Sequence, residues 1–373
     1  MELTNVSDFK GVCTMMLVYI PDVGDGLAAG ISTIDGTKIQ IDCGSQQEAN
    51  VAFIKGIYRI SPHSFFLSHF HLDHYNGLFC HNQHMERLAI REAFYPRIPK
   101  FEQRDKFLRC VMAMNHRLMG DMSGSTVADF LSVLSSINYG PFIYRSLSKG
   151  DTVRIGGSEF HVLWPPKTVD KATTKVIAKA IEVFDAAKQE DEILQKILNR
   201  IGEKGNLDPY LSDERQTGEM PICGRRTCDL KHYTFPSMRD LPEVVRSASK
   251  SLRAAANHLS LAFHEDNLFL FMGDLESSQI KKVVKYLTAQ ERRHFFVLVT
   301  PHHGTHWHKN LLEIHACHSI SSVGSGLFLK LRPEFKSISN ISLITHLNGD
   351  IEVPLFCPRW CRWKHRRDWY GFL

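Results

Sequence analysis

Residues 69–74 read His-Phe-His-Leu-Asp-His. Three imidazoles and a carboxylate this close together are donors for a divalent ion, and nitrogen and oxygen donors in combination suit zinc, manganese or iron. In an extended chain alternate residues share a face, so His69 and His71 point the same way. A turn at Asp73-His74 then aims a carboxylate and a third imidazole at a neighbouring point. Two ions about 3.5–4 Å apart can be held in this manner, one by each pair. The competing reading is a solvated histidine-rich loop. Three further positions end apolar runs. Asp274, in Met272-Gly273-Asp274-Leu275-Glu276, could bridge two ions or cap the helix that follows it. Pro301-His302-His303-Gly304 brings a late histidine to a strand end or forms a polar turn. Asp42, before Cys43-Gly44, reads as a carboxylate that orients a ligand and does not itself bind the ion.

The elements that must position these residues are legible as patterns. Residues 12–20, 27–34 and 38–42 alternate or run apolar between turn formers, which predicts an antiparallel meander. Residues 65–68 form a short apolar strand just before the histidine motif. Spacing of three to four predicts helices over 101–119, 125–137 and 277–289, and one long amphipathic helix over 169–201. Strand character returns at 141–146, 151–155, 159–163, 259–263, 268–272 and 295–300, then at 327–331, 341–346 and 351–356. Residues 202–241 are polar and read as a long loop or partly ordered insertion. Strands and helices interspersed in two halves fit two sheets covered by helices better than a regular alternating parallel fold.

With 43% hydrophobic and 23% charged residues in 373, the chain has the balance of a folded globular protein. No apolar run approaches the roughly 18 residues of a membrane span. Glu2 and Asp8 stand where a secretory signal is basic, and nine scattered cysteines do not form a disulfide framework, so a cytoplasmic location is expected. Histidine is abundant, at 20 copies, and it clusters in 63–84 and 302–318 around the motifs above. The net charge of +5 is concentrated at the end of the chain, where Arg359, Arg362, Lys364, Arg366 and Arg367 face only Asp368.

The ordered set Asp42, His69-x-His71-x-Asp73-His74, Asp274 and His302-His303-Gly304 resembles the metallo-β-lactamase fold superfamily. Val23-Gly24-Asp25-Gly26, Ile41-Asp42-Cys43-Gly44, Leu163-Trp164-Pro165-Pro166, Ser260-Leu261-Ala262 and Pro301-His302-His303-Gly304 are further similar to the hydrolase domain of the ComEC competence-protein family. The resemblance covers about 12–310. It implies an α/β (α+β) fold, an αββα sandwich of two mixed sheets flanked by helices, as one hydrolase domain over 1–356 with a helical insertion at 167–250. It also implies a dinuclear site of two divalent ions, zinc first and manganese second. His69 and His71 would bind one ion and Asp73 and His74 the other, with Asp274 bridging and His303 completing the second site. His302 would contact substrate, with ligation by it as the alternative, and Asp73 would accept the proton of the attacking water. The superfamily's third-motif histidine would fall on Ala256, and His258 is the candidate substitute. Asp25-Gly26-Leu27 stands where the family has Gln-Gly-Asp.

Residues 357–373 interleave cations with Trp360, Trp363 and Trp369. Cations neutralise phosphates and aromatic faces stack on unpaired bases, so Arg359, Trp360, Arg362, Trp363, Lys364, Arg366 and Arg367 are candidate nucleic-acid contacts. The alternative is a terminal segment docked on the body with its arginines reaching outward. The expected activity is that of a nuclease or phosphodiesterase on DNA or RNA. Hydrolysis of a small ester, thioester or lactam is the second expectation, and a metal-free sensor module the third, because a fold does not determine function. The spacings Cys223-x4-Cys228 and Cys357-x3-Cys361-x3-His365 match no common zinc pattern.

Overall fold

The protein is described by a computed structural model, covering residues 16–45, 63–79, 87–119, 129–204, 207–211, 217–220 and 240–355. Period-two alternation builds its layers. In the strand His63–Phe66, Phe65 turns to one side of its sheet and Phe66 to the other; in Ile90–Pro96, Ala93 and Tyr95 oppose Phe94. Both faces of the sheet are therefore apolar, and both need cover.

The first sheet has eight strands: β1 (Met16–Ile20), β2 (Ala28–Ser32), β3 (Lys38–Cys43), β4 (His63–Phe66), β5 (Ile90–Pro96), β6 (Phe142–Leu147), β9 (Thr217–Met220) and β15 (Ile351–Leu355), in the order β15-β1-β2-β3-β4-β5-β6-β9. The second has seven: β7 (Thr152–Ile155), β8 (Ser158–Trp164), β10 (Ala262–Glu265), β11 (Phe269–Phe271), β12 (His294–Val299), β13 (His315–Ser321) and β14 (Ser339–Ile344), in the order β14-β13-β12-β11-β10-β8-β7. Both sheets are mixed. β3 to β6 run parallel in one, β11 to β14 in the other, and the remaining pairings are antiparallel.

The sheets stack on a core that includes Val18, Ile31, Phe66, Phe94, Phe160, Phe263 and Val297. Outside the first sheet lie α1 (Arg104–Leu118), α2 (Phe130–Ile137), α3 (Lys171–Glu190), α4 (Glu192–Lys204) and α5 (Glu243–Asn257), which bury Phe107, Phe130, Ile177, Leu194 and Leu252 against it. Outside the second lies α6 (Ser277–Ala289), burying Ile280, Val283 and Leu287 on Leu270 and Leu298. The architecture is two mixed sheets flanked by helices. Aspartates cap the starts of α2 and α3, Asp129 accepting from Leu131 N at 3.0 Å and Asp170 from Thr173 N at 2.7 Å.

Two expectations are corrected and a third is filled in. The helix predicted over 169–201 is two helices broken at Asp191, because that residue is extended and its carboxylate caps the second helix at Leu194 N, 2.7 Å away, while pairing with Arg117 at 3.0 Å. Within 202–241, read as a long loop or partly ordered insertion, the described residues include a single helical turn at Asp208–Leu211 and the strand β9, which adds to the free side of β6. The strand predicted over 327–331 is a helical turn at Ser325–Phe328. The Asp25 carboxylate accepts from Gly324 N, Gly326 N and Leu327 N at 2.8–3.1 Å, satisfying amides that a strand would have offered to a neighbour.

Far from these strand ends, Glu265 closes β10 with 7% of its surface exposed. Burial, with Asp266 adding to it, pushes its carboxyl from 4.5 up to about 7. The folded state therefore binds the proton more tightly than the unfolded one, and stability declines as pH rises from the lower value through the higher. Glu265→Gln is expected to remove this decline and stabilise the protein at pH 8 by at most about 3 kcal/mol. Urea midpoints measured from pH 4 to 9 check it, and parallel curves for the two proteins would refute it.

Candidate metal centre

The carboxyl ends of the parallel strands meet at one edge of the stacked sheets, the usual location of ligand sites in α/β folds. Asp42 ends β3, the loop after β4 carries Ser68 to His74, Asp274 follows β11, and His302 and His303 follow β12. A hydrogen bond from Leu261 N to Ser68 O, 2.6 Å, ties the two sheets together here. Close backbone contact holds the loop in place. A Cβ on Gly44 would stand 2.1 Å from the Asp73 carbonyl oxygen, so only glycine lets β3 approach the histidine turn this closely. Asp42, His302 and His303 all have positive φ, at 53°, 49° and 60°. Such backbone costs about 1–3 kcal/mol per non-glycine residue and collects where side chains must be aimed.

His69 and His74 are buried, as are Asp274 and His303. One donor atom from each of His69, His74 and Asp274 lies within 4.8 Å of the others. Asp274 Oδ2 is 3.5 Å from His74 Nε2, 3.5 Å from His303 Nε2, 3.8 Å from His302 Nε2 and 3.9 Å from His69 Nε2. The far side of each ring is held. His74 Nδ1 meets Asp42 Oδ2 at 2.7 Å, and Asp42 also accepts the Ser68 amide at 2.7 Å. His303 Nδ1 donates to the Ser322 carbonyl at 2.9 Å, which leaves its Nε2 lone pair toward Asp274. His69 takes Ser68 Oγ at 2.9 Å on Nδ1 and His71 Nδ1 at 2.6 Å on Nε2.

The electrostatics follow from this packing. Burial holds His69 and His71 well below the ordinary imidazole range, so both are neutral and present lone pairs. Burial acts the same way on His74, but Asp274 and Asp42 outweigh it and hold that ring well above the usual range. For Asp274, burial is outweighed by His303, His74 and His302, and the carboxyl stays well below the usual range. A positive charge among these groups is thus strongly favoured. The buried His71 Nε2 and His74 Nε2 have no hydrogen-bond partner among the described residues. Orphaned nitrogens beside an ionised carboxylate, with the opposite ring nitrogen of His74 fixed by an acid, fit a divalent cation.

His302, 22% exposed, stands at the mouth, its Nδ1 2.9 Å from His306 Nδ1. His306 Nδ1 is in turn 3.2 Å from Glu276 Oε2, whose other oxygen accepts from Asn257 at 3.2 Å. Glu276, His302 and His306 form a second, less buried donor group. His258 is not brought to the site. It ends α5, and its Nδ1 accepts from Gln279 Nε2 at 2.8 Å. Asp73 is 5% exposed and receives the Arg253 guanidinium at 2.7 Å. The candidate contacts Arg359 to Arg367 and the pair Cys223 and Cys228 lie outside the described residues. Sequence reasoning missed Arg253 and Glu276. Glu276 sat in view two residues after Asp274, whereas Arg253 had no local signal.

No protein-family model matches the chain, and no curated protein matches it. Among solved structures it is similar to the metallo-β-lactamase fold protein YhfI from Bacillus subtilis, at 9% identity and a TM-score of 0.41, over 91% of this chain and 100% of that one. It is similar to a diphosphatase of the PhnP family at 10% identity and 0.39, over 91% and 98%. A long form RNase Z from yeast follows at 8% and 0.37, over 82% and 36%. At such identities and TM-scores, ligands and substrate have to be argued from this chain's own geometry. Among the described residues, no helix is long and apolar enough to cross a membrane.

Proposed function

We propose that this chain is a divalent-metal-dependent hydrolase of the metallo-β-lactamase fold, similar to the ComEC hydrolase domain, and that it cleaves phosphodiester bonds of DNA or RNA in the cytoplasm. The observation that carries the hydrolase reading is the convergence of His69 and His74, from the loop after β4, with Asp274, from the end of β11, onto one point. His69, His74, Asp274 and His303 would hold the ion, zinc first and manganese second by the character of the donors. When bound, such an ion supplies a Lewis acid and brings the pKa of water toward about 7.

The remaining steps belong to the chain's own groups. Asp42 fixes the tautomer of His74, and the Ser322 carbonyl fixes that of His303, so both Nε2 atoms face inward. Asp73, buried beside Arg253, accepts the proton of the attacking water. His302 faces both the cluster and solvent, where it can hydrogen-bond a non-bridging phosphate oxygen. The phosphodiester assignment is supported by the ComEC-like strings and by the cations of 357–373, which would track a nucleic-acid backbone.

Purified protein incubated with bis(p-nitrophenyl) phosphate and with single- and double-stranded DNA and RNA is expected to hydrolyse them with added zinc or manganese, and to lose this on chelation. Undiminished hydrolysis after chelation would refute the metal-dependent reading. Turnover of a thioester or lactam panel with none of the phosphodiesters would refute the substrate.

A further inference from the structure

We propose that the site holds one divalent ion, on His69, His74, Asp274 and His303, and that the guanidinium of Arg253 supplies the second positive charge, on Asp73. This rests on the metal-site reading above. Arg253 and Ala256 lie three apart on α5, hence on neighbouring positions of one helix face, and that helix runs into the site at its carboxyl end. Arg253 Nη2 donates to Asp73 Oδ2 at 2.7 Å, a charge-assisted bond to the carboxylate that the motif would otherwise offer to a second ion.

A turn further on, Ala256 presents only a methyl group. The space it shares with His69 is lined by Phe70, Ile98, Phe107, Val111 and Leu259, so among the described residues no donor reaches in from that side to complete a second coordination shell. His71 offers only its Nε2 to this side, its Nδ1 lying 2.6 Å from His69 Nε2, and one imidazole beside a salt-bridged Asp73 does not make a second site. The charges are consistent with this arrangement. Asp42 and Asp274 flank the ion-binding cluster, while Asp73 is separately paired with the Arg253 guanidinium. The Arg253 side chain is 37% exposed. Its planar fork therefore also faces the mouth, where it suits a phosphate oxygen better than a carbonyl.

The test is metal stoichiometry. Apo-protein titrated with Co2+ and followed by d–d absorption, with zinc content of the reloaded and dialysed protein measured by mass spectrometry, is expected to saturate at one ion per chain. Saturation at two in the wild type would overturn the inference while leaving the metal reading intact. No bound ion at all would overturn the metal reading itself, and the inference with it. Arg253→Ala combined with Ala256→His, which removes the guanidinium from Asp73 and adds the absent imidazole, is expected to raise the count from one to two. Should that pair fail to fold, the wild-type titration and the milder Arg253→Met decide. Arg253→Met is expected to keep one ion while raising KM for a phosphodiester more than it lowers kcat, and an unchanged KM would overturn the role given to Arg253.

Discussion

Asp274→Ala is expected to abolish metal retention and reduce phosphodiester hydrolysis by about a thousandfold or more, the scale set by losing a preorganised charge in a dry site. The reason is its position. Asp274 Oδ2 lies within 4 Å of a nitrogen on each of His69, His74, His302 and His303, and it is the acid that holds the cluster's charge balance. Without it, Asp42 alone opposes the burial of His74, and the inward-facing nitrogens lose the carboxylate they share. Far-UV circular dichroism should stay close to wild type, because the strand ends are held by backbone bonds such as His302 N to Gly273 O, 2.9 Å. Wild-type metal content and rate in this variant would remove Asp274 from the site. Gly273 beside it tolerates no replacement as a control: its φ is +48° and a Cβ would stand 2.7 Å from the Leu261 carbonyl oxygen.

The second large effect concerns the fold. Phe66 is fully buried between the sheets, its ring centroid 4.6 Å from Phe94, 5.0 Å from Phe263 and 6.0 Å from Phe160. Phe94 belongs to its own sheet, while the other two come from the opposite one. Phe66→Ala therefore removes a contact joining both sheets and leaves a cavity that rigid strands cannot close, at a cost of about 3–5 kcal/mol. Urea denaturation measures it, and a loss under 1 kcal/mol would mean the sheets collapse onto the gap. Phe66 also sits just before Ser68, whose amide and hydroxyl anchor Asp42 and His69. Metal affinity is expected to weaken in the same variant, whereas Asp274→Ala separates the site from the scaffold.

Much of the site was readable locally. An apolar strand followed by His-x-His-x-Asp-His, and acids or histidines at the ends of other strands, are short-range signals, and strand ends of parallel sheets meet at one edge for topological reasons. Asp42 was readable for the same reason, and the structure sets it on the outer nitrogen of His74. Long-range partners were not readable. Asp73 and Arg253 are 180 residues apart, and helical periodicity says which face Arg253 occupies but not what that face meets. The turn at Ser325–Phe328 looked like a strand because a short apolar run carries no decisive period, and its conformation is imposed by Asp25, some 300 residues earlier. The break at Asp191 was hidden by good helix formers on both sides.

By itself, then, the sequence determined the donor types, their placement at strand ends and the two-sheet class, because these depend on residue chemistry and on periods of two and 3.6. Tertiary structure alone decided how the donors are shared. It set His69 and His74 with Asp274, turned His258 toward Gln279, and laid the guanidinium of Arg253 on Asp73. Those outcomes depend on how helix α5 crosses the edge of the sheets, and crossing is a property of packing between distant segments, on which local spacing has no hold.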